Sequence, residues 1–114
     1  MESHIEVQEL DGQVRVCVGE RTVARSSSVQ LLLEGNLPPR HYFPREDVDM
    51  DLLIPSQSIT HCPHKGDARY WSIKLDDHDL EDVVWSYETP IEAMSAIGGL
   101  LCFYDERVQL EFGD

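Results

Sequence analysis

Polar and apolar residues alternate one by one along much of the chain, the pattern of half-buried β-strands. His4–Leu10 puts Ile5 and Val7 on one face, and Gln13–Val18 does the same with Val14, Val16 and Val18. Asp11-Gly12 stands between them and reads as a two-residue hairpin turn. A second turn at Gly19-Glu20 leads into a strand over Arg21–Arg25. Ser28–Leu33 is a short apolar run, read as a strand over a single helical turn. Gly35-Asn36-Leu37-Pro38-Pro39 is a loop. His41–Pro44 is extended, because a residue before proline avoids the helical region.

Val48–Ile54 reads as a further strand, ended by Pro55. Ser58–His61 and Ala68–Leu75 flank a loop at Pro63–Asp67. In the second of these strands Trp71, Ile73 and Leu75 share one face, and Tyr70, Ser72 and Lys74 the other. Asp76–Asp82 is a charged turn, and Val83–Tyr87 a strand with Val83, Trp85 and Tyr87 on one face. One helix start is legible. Thr89 would cap, Pro90 would take the first helical position, and Glu92 would return the capping bond. Gly98-Gly99 would stop it, giving one short α-helix near residues 90–97. Leu100–Tyr104 and Arg107–Phe112 form a last hairpin across Asp105-Glu106. The sum is a mostly β, mostly antiparallel fold.

At 114 residues the chain fits a single domain over 1–114, and its 41% hydrophobic share suffices for a core. A net charge of −13 opposes binding to a phosphate backbone or to anionic lipid, so neither nucleic acid nor membrane is an expected partner. Four of the nine basic residues nevertheless cluster in sequence: Arg40, Arg45, Lys65 and Arg69. A small anionic or polar molecule therefore stays open as a ligand. No stretch is long and apolar enough for a membrane span, and Met1–Glu6 lacks the basic-then-apolar order of a leader. Three widely spaced cysteines, Cys17, Cys62 and Cys102, argue against a disulfide framework and for a reducing, cytoplasmic setting.

Concentrated chemistry falls in three segments. Arg40-His41-Tyr42-Phe43-Pro44-Arg45-Glu46-Asp47 reads as a ligand wall, with Arg45 as an anion clamp and Asp47 or Glu46 as acceptor or base. The bland alternative is a surface turn with local ion pairs over core aromatics. Thr60-His61-Cys62-Pro63-His64-Lys65-Gly66 admits several readings. Zinc would need about four ligands, and no pair of cysteines at metal-ligand spacing exists, so no metal is expected. Cys62 as a nucleophile would need a neighbour to lower its pKa, yet His61 points the opposite way on an extended chain. Anion binding by His64, Lys65 and the Gly66 backbone fits the loop better. A structural loop with a buried thiol remains the plain alternative. Tyr70-Trp71-Ser72 and Trp85-Ser86-Tyr87 supply aromatic mass, either as core or as pocket wall. Asp76–Asp82 lacks the ligand spacing and central glycine of a calcium loop and reads as a solvated turn.

Taken in order, Val14–Ser26, Leu31–Glu34 with Leu37-Pro38, Tyr42–Val48, Thr60–Ser72, Trp85–Pro90 and Gly98–Tyr104 resemble the family called domain of unknown function 427, at times labelled nucleotidyltransferase-like. The match covers nearly the whole chain, and its "YFPRED" and "CPHKG…YW" segments are specific. The resemblance implies a compact tent-like or barrel-like antiparallel β domain with one short helix, in stand-alone bacterial or fungal proteins. The motif residues that match are Tyr42, Pro44, Arg45, Asp47, Thr60, Cys62, Lys65, Gly66, Tyr70, Trp85 and Tyr87. Family members often carry tyrosine where this chain has His64. The Gly-Ser pair and spaced aspartates of metal-dependent nucleotidyltransferases are missing from this chain.

Two functional classes follow. In the first, Tyr42, Arg45, Asp47, Thr60, His64, Lys65, Tyr70, Trp71, Trp85 and Tyr87 surround a small anionic or polar ligand, with Asp47, Cys62 and Lys65 as candidates for chemistry and no cofactor implied. In the second, the same motifs only hold a structural or protein-interaction domain together.

Overall fold

Residues 4–113 are described in a computed structural model; Met1–Ser3, part of the stretch read for a leader, and Asp114 lie outside them. The alternating patterns become β1 (Ile5–Glu9), β2 (Gln13–Val18), β3 (Arg21–Ser26), β4 (Gln30–Glu34) and β5 (Arg40–Phe43). The second half adds β6 (Leu53–Cys62), β7 (Gly66–Lys74), β8 (Asp79–Ser86), β9 (Leu101–Phe103) and β10 (Gln109–Gly113). Seven strands form one sheet in the order β1-β4-β5-β9-β8-β7-β6, and three form a second in the order β10-β2-β3. Every pairing is antiparallel. The radius of gyration is 13.7 Å, close to the roughly 13 Å of a globule this size.

Alternation then decides what each face of the large sheet meets. Phe43, Trp71, Ile73, Val84, Leu101 and Phe103 pack with Val14, Val16, Val23 and Ala24 of the small sheet, filling the space between the two. The Phe43 and Phe103 rings meet edge to face at 5.6 Å. The neighbouring positions Leu32, Tyr42, Ala68, Tyr87 and Cys102 point to the opposite face and pack against Met94 and Ile97. The seven-stranded sheet is thus covered on both sides, by a sheet on one and by the segment after β8 on the other.

Two expected hairpins do not form. β1 pairs with β4 and β2 with β3, so Asp11-Gly12 carries the chain from one sheet to the other. The Leu10 amide donates to the Val29 carbonyl at 3.0 Å instead of closing a local turn. β9 joins the large sheet and β10 the small one, so Asp105-Glu106 is also a crossing. Both errors share a cause: a turn signal names a reversal of the chain, not the strand that receives it.

Other boundaries shift. Val48–Ile54 is not one strand: Val48 makes an isolated bridge to Ala24, and Met50–Leu52 is a 3-10 turn. β6 then runs through Pro55 rather than stopping there. An edge strand tolerates proline, since its missing amide can face outward, and the register slips between Pro55 and Ile59. Asp79–Asp82 belongs to β8, not to the charged turn. Asp82 adopts φ 53° there, and the irregularity turns Val83 into the first core while Trp85 and Tyr87 serve the second. The expected α-helix is a 3-10 segment over Glu92–Ile97, kinked at Met94 and preceded by Ile91, with no side-chain cap from Thr89. Its one buried stripe, Met94 and Ile97, lies three residues apart, the spacing a 3-10 turn aligns. Among the described residues no helix is long and apolar enough to cross a membrane.

Candidate functional site

A row of side chains crosses the second face of the large sheet. Gln30 on β4 stands opposite Tyr42 on β5, Tyr42 opposite Cys102 on β9, Cys102 opposite Trp85 on β8, and Trp85 opposite Tyr70 on β7. Cys102 is the small member of that row, and the larger residues bond across it: the Trp85 indole N–H donates to the Tyr42 hydroxyl at 3.3 Å. The Tyr70 and Trp85 rings lie 6.4 Å apart, and the Tyr70 hydroxyl meets the Thr60 hydroxyl at 2.9 Å.

One step along, Arg40 shares a face with Tyr42, two residues away on β5. Its guanidinium lies 5.4 Å over Trp85 and 5.5 Å over Tyr104, whose rings are 6.2 Å apart. Leu32 faces Arg40 across the strand pair, and Glu34 follows Leu32 on the same face. Lys65, from the β6–β7 loop, reaches Glu34 at 2.7 Å and sits 5.9 Å over the Tyr87 ring. These groups, with Leu37, Pro38 and Asp82, line a cleft of about 360 Å3.

The electrostatics are balanced. The Lys65–Glu34 pair is mostly shielded, with 12% and 14% of the two side chains exposed. Asp82 accepts a hydrogen bond from Ser58 at 2.7 Å, and bonds from Ser56 and Ser58 hold its carboxyl below the ordinary range. Burial pushes the phenols of Tyr42 and Tyr87 and the thiol of Cys102 well up, so all three stay protonated at neutral pH. The cleft is therefore a floor of neutral hydroxyls and rings bordered by two cations and two carboxylates.

Of the residues singled out in the sequence, Tyr42, Lys65, Tyr70, Trp85 and Tyr87 line this cleft, and Thr60 supports Tyr70. Arg45 and Asp47 do not. The 3-10 turn Arg45–Asp47 leaves the sheet after Phe43 and carries both away. Arg45 bonds Glu88 at 3.2 Å and lies 5.3 Å over Trp71, and Asp47 accepts from Ser26 at 2.6 Å beside the small sheet. Trp71 belongs to the core between the sheets, and His64 is exposed outside the cleft.

The loop carrying Lys65 is not an amide cradle. The Lys65 amide is spent on the Cys62 carbonyl at 3.1 Å. Gly66 has φ +122°, and a Cβ on it would stand 3.2 Å from the Pro90 Cα, so this glycine serves close packing of backbone. Cys62 is half-buried with its sulfur 4.0 Å from the Lys65 ammonium, which is already bound to Glu34. His61 turns outward to Asp67 at 2.7 Å and gives Cys62 no base. Cys17, Cys62 and Cys102 are free thiols. Among the described residues no group of three His, Cys, Asp or Glu side chains is gathered as metal ligands.

Sequence reasoning missed Glu34 and Tyr104 as cleft residues and, although Arg40 opens the ligand-wall segment, gave it no place among the ligand-binding residues. The signal for two of them was present: Arg40 stands two residues from Tyr42 on an extended strand, and Glu34 two from Leu32. Tyr104 needed the knowledge that β9 inserts between β5 and β8.

No curated protein matches the chain. The family described as a domain of unknown function, DUF427, matches residues 6–114, and the protein belongs to that family.

Proposed function

We propose that the cleft on the second face of the large sheet binds a small anionic or polar molecule, in the cytosol. What supports this is the convergence of cations, carboxylates and hydroxyls from four strands and from the three connections that carry Lys65, Tyr87 and Tyr104 on one aromatic-floored hollow. Arg40 and Lys65 supply positive charge, Tyr42, Tyr70 and Tyr104 supply hydroxyls, and Trp85 supplies a stacking face. The three free thiols suit a reducing compartment.

Thermal denaturation against nucleotides, sugar phosphates, carboxylates and uncharged amides tests the reading. A ligand present at 100 times its Kd raises stability by about 2.7 kcal/mol. The expected result is a saturable rise with one class, lost in a folded Tyr70→Ala variant. No rise with any class, or a rise that Tyr70→Ala leaves intact, contradicts it.

A second reading has its own support. Arg45 and Asp47, the charged heart of the "YFPRED" segment, are spent on Glu88, Trp71 and Ser26. In that reading the motif holds a structural or interaction domain together. The same experiment separates the two, since a purely structural domain responds to none of the compounds.

A further inference from the structure

The two cations at the cleft differ in what already neutralises them. Lys65 is 2.7 Å from Glu34, in a pair largely shielded from water. Among the described residues Arg40 is ion-paired with Glu106 alone, at 3.4 Å, and that side chain is 53% exposed. Exposed pairs of this kind contribute little, and a competing carboxylate can take the place of Glu106. The Arg40 guanidinium meanwhile is held over Trp85 and Tyr104, so the charge has a fixed position and a replaceable partner.

The rim beside it is apolar and uncovered. Leu37 is 62% exposed and Tyr104 39%, both at the mouth of the cleft with Pro38. A multiply charged anion finds no matching set of donors. The Lys65 amide is occupied, the Gly66 face is closed by Pro90, and the net charge of −13 repels each added negative charge.

Resting on the reading of this cleft as a ligand site, we propose that its ligand is a small monocarboxylic acid on a flat apolar ring. Its carboxylate displaces Glu106 from Arg40, and its ring lies between the Trp85–Tyr104 corner and Leu37-Pro38. A singly charged head matches the one cation whose partner is loose, and a flat body covers the apolar rim.

Titrations followed by the two indole N–H signals in an amide-correlation NMR spectrum test this. Trp85 lines the cleft and Trp71 lies in the other core, so the second signal is an internal reference. The probes are 2-naphthoate, its uncharged counterpart 2-naphthamide, acetate and inorganic phosphate, at constant ionic strength. The expected result is a saturable shift of the Trp85 signal by 2-naphthoate, with 2-naphthamide about tenfold weaker, as loss of one charge-assisted hydrogen bond implies. Acetate and phosphate leave it unmoved. Arg40→Met brings 2-naphthoate down to the level of 2-naphthamide, and Glu106→Gln, which removes the competing carboxylate and leaves the fold's interior untouched, tightens 2-naphthoate binding.

Equal binding of 2-naphthoate and 2-naphthamide, binding of phosphate in place of 2-naphthoate, or no tightening in Glu106→Gln overturns the monocarboxylate while leaving the cleft a ligand site. Failure of every probe here to move Trp85 also overturns it. If the broader compound panel produces no stabilisation either, the reading of the cleft as a ligand site falls with it.

Discussion

At the scale of single residues, the same chemical group does different work in different places. Arg45 and Arg40 are both guanidinium groups over tryptophan rings, yet Arg45 braces Trp71 and Glu88 away from the cleft while Arg40 borders it. Arg45→Met is expected to cost about 0.5–1.5 kcal/mol in urea denaturation, from a half-exposed cation–π contact and a surface ion pair, and to leave any ligand-induced rise in melting temperature unchanged. Loss of the ligand response in a folded Arg45→Met protein would return that residue to the site. His41 offers a second test. Its Nδ1 is buried without a partner among the described residues, and burial lowers its pKa from the ordinary 6.5, with Asp105 acting in the opposite direction. The unfolded chain then binds the proton better, so the His41 contribution is whole above pH 6.5 and is lost as pH falls towards its folded value. Asp105, raised by its own burial, has the opposite sign at lower pH, because its folded carboxyl holds its proton longer. Between about pH 7.5 and 6 the melting temperature should fall, and by less in His41→Gln; equal slopes for the two proteins would refute the assignment.

At the scale of elements, local patterns were legible where partner and sequence neighbour coincide. The Gly19-Glu20 turn gives β2–β3, the loop read over Pro63–Asp67 joins β6 to β7 although Gly66 and Asp67 already belong to β7, and the alternation at Trp71 and Ile73 marks the buried face of β7. Patterns failed where the receiving strand is remote, as at Asp11-Gly12 and Asp105-Glu106, because which sheet accepts a strand is set by packing of the whole. The helix signal at Thr89-Pro90 failed for a related reason: with only Met94 and Ile97 to bury, the segment gains nothing from a longer α-helical stripe. Gly66 joins the element and site scales. Its positive φ and the 3.2 Å approach to Pro90 mean that Gly66→Ala strains β7 against the segment after β8. The expected loss is roughly 1–3 kcal/mol in urea denaturation. A neutral Gly66→Ala would show that this close packing is not what the glycine serves.

At the scale of the whole molecule, the large sheet is the common wall of two cores, and the central strand β9 serves both. Leu101 and Phe103 face the small sheet, while Cys102 lies beneath the aromatic row of the cleft. Phe103→Ala should therefore cost about 3–5 kcal/mol, felt in both cores at once. Urea denaturation followed at Trp71 in one core and Trp85 in the other should give a single coincident transition; separate midpoints would contradict the shared wall. This scale also explains what the sequence could not yield about the site. Glu34, Arg40, Lys65 and Tyr104 meet only because β9 inserts between β5 and β8 and the β6–β7 loop comes back to the end of β4. No local pattern encodes that closure. Whether this hollow holds a guest is read from a titration of the 15N-labelled protein with the acids and amides of the panel. Saturable shifts are expected at Glu34, Arg40, Lys65, Tyr70, Trp85 and Tyr104 alone, with Trp71 unmoved. Shifts gathered instead along the β6 edge or around Arg45 and Asp47, or none with any compound, would contradict the reading of the cleft as a ligand site.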